Sequence, residues 1–378
     1  MTKRYAIFIT AIFCAFIGVF MVANALSPDR DFSPLENRVL QQLPSPSLET
    51  VKNGAFMRQF ETYLTDQFFA RDTWTAAKAV SERMLGKKEN NGVYFCEGDT
   101  LISRFDAPDP QQLAANLGYV EQFAQNTDVP VYFSLIPGAV RVWSDKLPAG
   151  APNADQGAIL TQAQASAPSA QWYDTDSVMM AHKGEDIYYR TDHHWTSLGA
   201  YYGYTALADA LGFEPVPLDS YTKTVRSEDF YGTIYSSSGV RWVAPDTIET
   251  YVPDDGITVT SYTYDNKGNP VEEERPLYDT SYLQVKDKYS MFLGGNQSLA
   301  VVRTPNTDKP KIAIIRDSYA DSLVPFLTPH FSEIHLIDLR YYKLSVADYL
   351  AENQIDSALV LYSVANFSTD TNLLWLPR

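Results

Sequence analysis

The sequence predicts an α/β protein: a parallel sheet covered by helices, carrying one β-rich insertion and preceded by an apolar helix of membrane length. Three observations carry this. The short runs 129–137, 311–315, 333–338 and 357–362 are apolar and bounded by turn residues, and helical patterns alternate with them, as in a parallel sheet buried on both faces. Residues 213–307 switch to short β-branched and aromatic runs punctuated by Gly, Asn and Pro, a β-rich signature. Residues 5–26 are apolar apart from Thr10 and Asn24, close to the ~20 residues that span a bilayer.

Length and charge bound the function. At 378 residues the chain exceeds one average domain and accommodates an α/β core with a large insertion. A net charge of −16 argues against nucleic acid, which needs a basic footprint, and against the globular part lying flat on anionic lipid. The two cysteines, Cys14 and Cys96, offer no disulfide framework because the first lies in the N-terminal apolar run.

In chain order, Lys3 and Arg4 precede the apolar run and place the remainder of the chain outside the cytoplasm by the positive-inside rule. Ala23-Asn24-Ala25 is also a cleavage pattern, so a signal peptide competes with a signal anchor over 1–26. Residues 27–90 read as a proline-punctuated linker followed by juxtamembrane helices: one capped by Ser45 and running through Phe56, Phe60 and Leu64 to Phe69, and one over 73–85 capped by Asp72. The α/β core comprises 91–212 and 308–378, with strands at 93–95 and 129–137, helices at 109–126 and 159–165, and a helix opened by Thr196 or Ser197 and stopped by Gly212. The insertion, 213–307, holds strand candidates at 247–252, 256–264 and 282–285 and the turn signal Asn266-Lys267-Gly268-Asn269-Pro270. Its many tyrosines suit sugar rings and equally suit packing against the core. Strand 311–315 then turns at Arg316-Asp317-Ser318 and leads into a helix through Leu323, Phe326 and Leu327.

Two stretches carry chemistry. In Thr191-Asp192-His193-His194-Trp195-Thr196, extended backbone puts Asp192 and His194 on one side and His193 on the other. A carboxylate beside an imidazole fixes its tautomer and stabilises the imidazolium formed when the ring takes a hydroxyl proton. Ser318, in Ile315-Arg316-Asp317-Ser318-Tyr319, lies beyond a strand's carboxyl end, where open α/β sheets hold ligands. Taken alone it is a helix cap. Asp192, His193 and His194 also invite a metal, but adjacent histidines seldom serve one ion unaided and no Cys or acidic cluster at ligand spacing accompanies them, so no metal is assigned. Gly294-Gly295-Asn296 is either a hairpin turn or a close backbone approach carrying an amide donor, and Asn366 is a weaker candidate.

The Asp-His-His-Trp block with a late Asp-Ser-Tyr resembles the bacterial DHHW family, and more distantly the SGNH-like acetyltransferases of alginate O-acetylation. Residues 32–38, Asn91-Gly92-Val93-Tyr94, Gly294-Gly295-Asn296 and 338–342 also read like family blocks. The resemblance implies a three-layer, flavodoxin-like SGNH-hydrolase-like sheet, with Ser318 as nucleophile, His194 as base and Asp192 as its orienter. The usual SGNH order puts Gly-Asp-Ser early and Asp-x-x-His late. Here the Ser comes last, as in the alginate-type branch, and Arg316 stands in place of the Gly. Asn296, Gly295, Tyr319 and Arg316 are thus the oxyanion or substrate candidates. The implied activity is an extracytoplasmic O-acetyltransferase or acetylesterase acting on cell-envelope or exported polysaccharide without a cofactor, with a membrane-bound O-acyltransferase as acetyl donor. A non-catalytic envelope module binding glycan or a partner is the alternative.

Overall fold

The computed structural model describes residues 3–36, 38–264 and 270–378. Asn37 and the Asn266-Lys267-Gly268-Asn269 turn signal lie outside the described residues. The chain forms two compact units, Met1–Asn91 with Ser236–Trp242, and Gly92–Tyr235 with Val243–Arg378.

In the first unit, α1 (Lys3–Leu26) is one unbroken helix with no buried residue, long and apolar enough to cross a membrane. The single juxtamembrane helix expected from Ser45 is two. Ser47, not Ser45, caps Leu48–Lys52 in a reciprocal box with Thr50, and the chain breaks at Gly54 (φ 74°) before Ala55–Asp66, because that left-handed conformation suits a residue without Cβ. The next helix is Arg71–Met84, and Asp72 lies in its first turn rather than at its cap, where it pairs with Arg30 at 2.8 Å. Glu36 and Arg38 tie the linker to these helices. Arg38 donates to Glu36 (2.7 Å) and to Asp66, and Arg71 donates to Glu36 (2.6 Å).

The second unit is built on a sheet of eight strands among the described residues: β1 (Val131–Ile136), β2 (Gln171–Trp172), β3 (Thr258–Tyr264), β4 (Pro270–Arg275), β5 (Leu299–Arg303), β6 (Lys311–Arg316), β7 (Glu333–Ile337) and β8 (Ser357–Ser363). Their order is β4-β3-β5-β7-β6-β8-β1-β2. From β7 to β2 the pairs are parallel; β5 runs antiparallel to β7, and β3 antiparallel to β5 and β4. The strands of 258–303 therefore extend the core sheet. The architecture is mixed α/β, with helices α2 (Pro110–Asn126), α3 (Gln156–Ser166), α4 (Thr175–Ala181), α5 (Ser197–Leu211), α6 (Val346–Glu352) and α7 (Val364–Thr369).

Local chemistry sets these elements. Asp109 caps α2, with Pro110 at its first position; Thr196 caps α5 and Gly212 (φ 74°) ends it. Buried Asn116 of α2 donates to the carbonyls of Phe367 and Asp370, tying α2 to α7. In β6 and β8, Ile312 to Ile315 and Ala358 to Leu361 are fully buried, so the carboxyl ends of two central strands define one rim of the sheet.

Two further expectations are corrected, and three strands are new. Residues 282–285 are not a strand: Thr280–Gln284 is a 3₁₀ turn capped by Asp279. The helix expected after Ser318 is a 3₁₀ turn, Ser318–Ser322, followed by the single turn Val324–Leu327, since Pro325 has no N–H to continue the ladder. Strands β4, β5 and Thr224–Phe230, the last paired with Asp246–Thr250, were not expected from the sequence pattern.

Candidate active site

The site forms where the motif loop meets the end of β6. Asp317 is extended, and its Oδ1 accepts the Tyr319 amide at 3.0 Å. Its Oδ2 accepts from the Ser363 amide (2.9 Å), Ser363 Oγ (2.8 Å) and Asn366 Nδ2 (2.8 Å). Asp317 thereby ties β6 to β8 and fixes the tight turn that carries Ser318. Asn366 belongs to this clamp, its amide already donated.

On the other side, Asp246 holds the motif loop, accepting from the amides of Arg190 (3.0 Å) and Thr191 (2.8 Å) and from Thr191 Oγ1 (2.6 Å). Trp195 is fully buried and donates Nε1–H to the Tyr319 carbonyl at 2.9 Å, joining the two stretches directly. Gly203 of α5 gives its ring room, since a Cβ there would sit 2.7 Å from the indole.

The two stretches, 124 residues apart, meet as one relay. His194 Nε2 lies 2.8 Å from Ser318 Oγ. Its Nδ1 lies 2.6 Å from Asp192 Oδ1, which also accepts the His194 amide at 3.0 Å. Asp192 Oδ2 accepts the Thr233 amide (2.7 Å) and Thr233 Oγ1 (2.9 Å). Both carboxylate oxygens are thus filled by donors, which leaves Nδ1–H as the donor toward Asp192 and Nε2 as the acceptor toward Ser318. Asp192 is buried; burial alone would raise its pKa, but the two histidines and the Thr233 amide outweigh it and hold the carboxyl well below the usual range.

Tyr289 stacks flat on the His194 ring, centroids 3.8 Å apart and planes at 8°. Its hydroxyl reaches the Ser318 carbonyl (3.1 Å) and Ser322 Oγ (3.0 Å). Gly232 lies against Asp192 so closely that a Cβ there would overlap the carboxylate. His193 does not point away as an extended segment would have it, because the loop bends over 190–194: its Nδ1 lies 2.7 Å from Thr233 Oγ1 and 3.6 Å from Asp192 Oδ1, its ring centroid lies 3.8 Å from that of His194, and Tyr319 donates its hydroxyl to the His193 carbonyl. With its amide and its hydroxyl both engaged, Tyr319 has no donor left for an oxyanion; it positions the loop instead.

Arg316 is almost fully buried and pairs with buried Asp321 at 3.0 Å. Burial pushes the Asp321 carboxyl up to about 7 against the pull of Arg316. Arg316 Nη1 (3.3 Å) and Arg340 Nη2 (3.0 Å) both donate to Asn296 Oδ1, and Arg340 is held by Asp338 at 2.6 Å. Two guanidinium groups on Oδ1 fix the amide orientation of Asn296, an exposed residue, and leave Nδ2 as its outward donor. Gly295 (φ 85°) shapes this loop, its amide turned to the Phe292 carbonyl at 3.4 Å.

Tyr289, Thr233, Gly232, Asp246 and Asp321 have no motif, and composition alone does not single them out. Tyr289 belongs to the tyrosine-rich insertion, the one signal that could have raised it. Asp192, His193 and His194 bring one ligand atom each within 4.8 Å of one another. Both ring nitrogens of His194 are engaged in the relay, so an ion would have to displace one of those hydrogen bonds.

The DHHW protein model matches residues 116–337, more than half of the chain. A DHHW family protein from Eubacterium siraeum superposes with a TM-score of 0.64 at 27% identity, covering 76% of this chain and 95% of that one. PatB1 of Bacillus cereus, solved with a sulfonyl adduct, superposes with a TM-score of 0.61 at 22% identity, covering 74% and 97%, and shares the fold. The O-acetyltransferase domain of Pseudomonas putida AlgJ gives 0.47 at 15%, covering 76% and 98%. No curated protein matches the sequence. With the family model spanning most of the sheet and both stretches of the relay, the chain belongs to the DHHW protein family.

Proposed function

We propose that this chain is an SGNH-like, three-layer acyl-transferring enzyme, held outside the cytoplasm by α1, that moves acetyl groups on or off cell-envelope or exported polysaccharide. The observation that carries the reading is the Asp192–His194–Ser318 relay at the carboxyl end of a central strand, with hydrogen bonds of 2.6 and 2.8 Å. A strand-end serine hydrogen-bonded to an oriented imidazole is the arrangement nucleophilic acyl transfer requires.

In the reaction, His194 Nε2 takes the Ser318 proton as Oγ attacks the acetyl carbonyl carbon. Asp192 stabilises the imidazolium. The tetrahedral oxyanion meets the Ser318 amide and Asn296 Nδ2, whose carbonyl end the two arginines occupy. Collapse breaks the bond to the leaving oxygen, which takes the proton from His194, and acetyl-Ser318 remains. A sugar hydroxyl, or water, then gives its proton to His194 and attacks the acyl carbon, and Ser318 departs reprotonated. A membrane-bound O-acyltransferase is the proposed acetyl source.

Hydrolysis of 4-nitrophenyl acetate by the full chain tests the reading. Ser318→Ala and His194→Ala should abolish the turnover of the native protein. Equal rates in all three would reject the relay and leave a glycan- or partner-binding module.

A further inference from the structure

Large apolar side chains remain exposed on the juxtamembrane helices of the first unit and the turn between them: Met57 and Leu64, seven apart on one helix face, Phe68 and Phe69 in the turn, then Trp74 and Val80 on the next helix. The polar side of the same helices is already occupied, since Asp66 and Arg71 are tied to Arg38 and Glu36 of the linker. Phe68, Phe69 and Trp74 meet α1. Phe20 stacks on Phe68 at 5.7 Å and packs against Trp74 at 5.6 Å. Asn24 Oδ1 accepts the Phe69 amide at 2.6 Å, so the polar residue in the apolar run satisfies the backbone of the turn between the two helices. Phe16, Ile17, Phe20, Met21, Phe68 and Trp74 line an open groove that is almost wholly apolar.

Depth along α1 says what covers this groove. At 1.5 Å per residue, α1 is ~36 Å long, Asn24 lies ~3 Å and Phe16 ~15 Å from Leu26 along the axis. With a hydrocarbon core of ~30 Å, a groove between those levels faces the outer half of the bilayer. We propose that the turn carrying Phe68 and Phe69, together with Trp74 at the start of the helix that follows, is a re-entrant wedge seated in the outer leaflet, and that lipid acyl chains fill the groove between it and α1. Trp74, an aromatic ring with a polar N–H, suits that interfacial depth, and Phe68 and Phe69 add apolar surface beside it. The polar linker side faces water, and an apolar wedge needs no basic surface, in keeping with the acidic chain. The proposal rests on α1 being retained as an anchor and is independent of the acyl chemistry.

The test uses the full chain in phosphatidylcholine vesicles, with lipids brominated either near the upper part of the acyl chain or near its methyl end. The emission lost on Trp74→Phe isolates Trp74. That component should be quenched by the brominated lipids, more strongly by bromine near the upper part of the chain, while the variant keeps native 4-nitrophenyl acetate turnover. A Trp74 component indifferent to brominated lipid, with intact α1 verified by mass, overturns the wedge. A mature chain from cells that starts after Ala25 overturns it as well. Neither outcome touches the relay, and loss of turnover in Ser318→Ala is read separately.

Discussion

Asp192→Asn is the most informative single change at the site. The carboxylate accepts four hydrogen bonds, two from His194 at 3.0 and 2.6 Å and two from Thr233 at 2.7 and 2.9 Å, and donates none. An amide has one acceptor oxygen, so Asn must choose. If the oxygen stays on the His194 side, the NH₂ faces the Thr233 amide, a donor that cannot turn away, at a cost of about 1–3 kcal/mol in stability. If the amide flips, the NH₂ faces Nδ1, the ring proton moves to Nε2, and His194 can no longer take the Ser318 proton. In both cases the charge that stabilises the imidazolium is gone. At 2.6 Å and an effective dielectric near 20, that attraction has a ceiling of about 6 kcal/mol, and a rate loss of ~10³–10⁴ corresponds to roughly 4–5.5 kcal/mol. We therefore expect kcat on 4-nitrophenyl acetate to fall by ~10³–10⁴, with folding retained by circular dichroism. Asp192→Asn keeping more than about a tenth of native kcat would refute the assignment of Asp192 as the orienter of His194.

Other changes test the surroundings. Gly232→Ala inserts a methyl group into the space of the Asp192 carboxylate and should lower kcat by at least ~10²-fold, whereas Gly184→Ala, which meets nothing within 4 Å, should leave turnover unchanged. Tyr289→Phe keeps the stacked ring but removes the hydroxyl that reaches the Ser318 carbonyl and Ser322; thermal denaturation should show a loss of about 1–2 kcal/mol, and native stability would count against that bridge. The native state holds the Asp321 proton to about 7 while an ordinary Asp releases it near 3.8. Between those pH values the native state binds more protons, so this group makes stability fall as pH rises. Asp192, held low, contributes with the opposite sign, but only as pH falls below the usual carboxylate range. Asp321→Asn should flatten the Tm profile between pH 4.5 and 7.5, and an unchanged slope would contradict the protonated carboxyl.

The parallel core was legible because its signals are local. Continuous apolar runs marked β1, β6, β7 and β8, and Asp109-Pro110, Thr196 and Gly212 marked the ends of α2 and α5. The meeting of Asp192, His194 and Ser318 was inferred from residue types in pattern together with the family resemblance. What stayed hidden depends on tertiary placement. Strand β5 reads as part of an insertion because nothing in Leu-Ala-Val-Val-Arg says that its partner is β7, and Thr280–Gln284 looks extended until Asp279 caps it. Tyr289 and Gly232 acquire meaning only through the ring and the carboxylate that fold against them. Arg316 stands where a glycine was expected, and it became interpretable once Asp321 and Asn296 were placed around its guanidinium.

The covalent fate of Ser318 tests the acyl chemistry most directly. The full chain is incubated with 4-nitrophenyl acetate, quenched in acid and digested, and the peptide carrying Ser318 is weighed. An acetyl group on Ser318 in the native protein, absent from His194→Ala, is the expected result. Turnover that proceeds with Ser318 unmodified and persists in Ser318→Ala would contradict it.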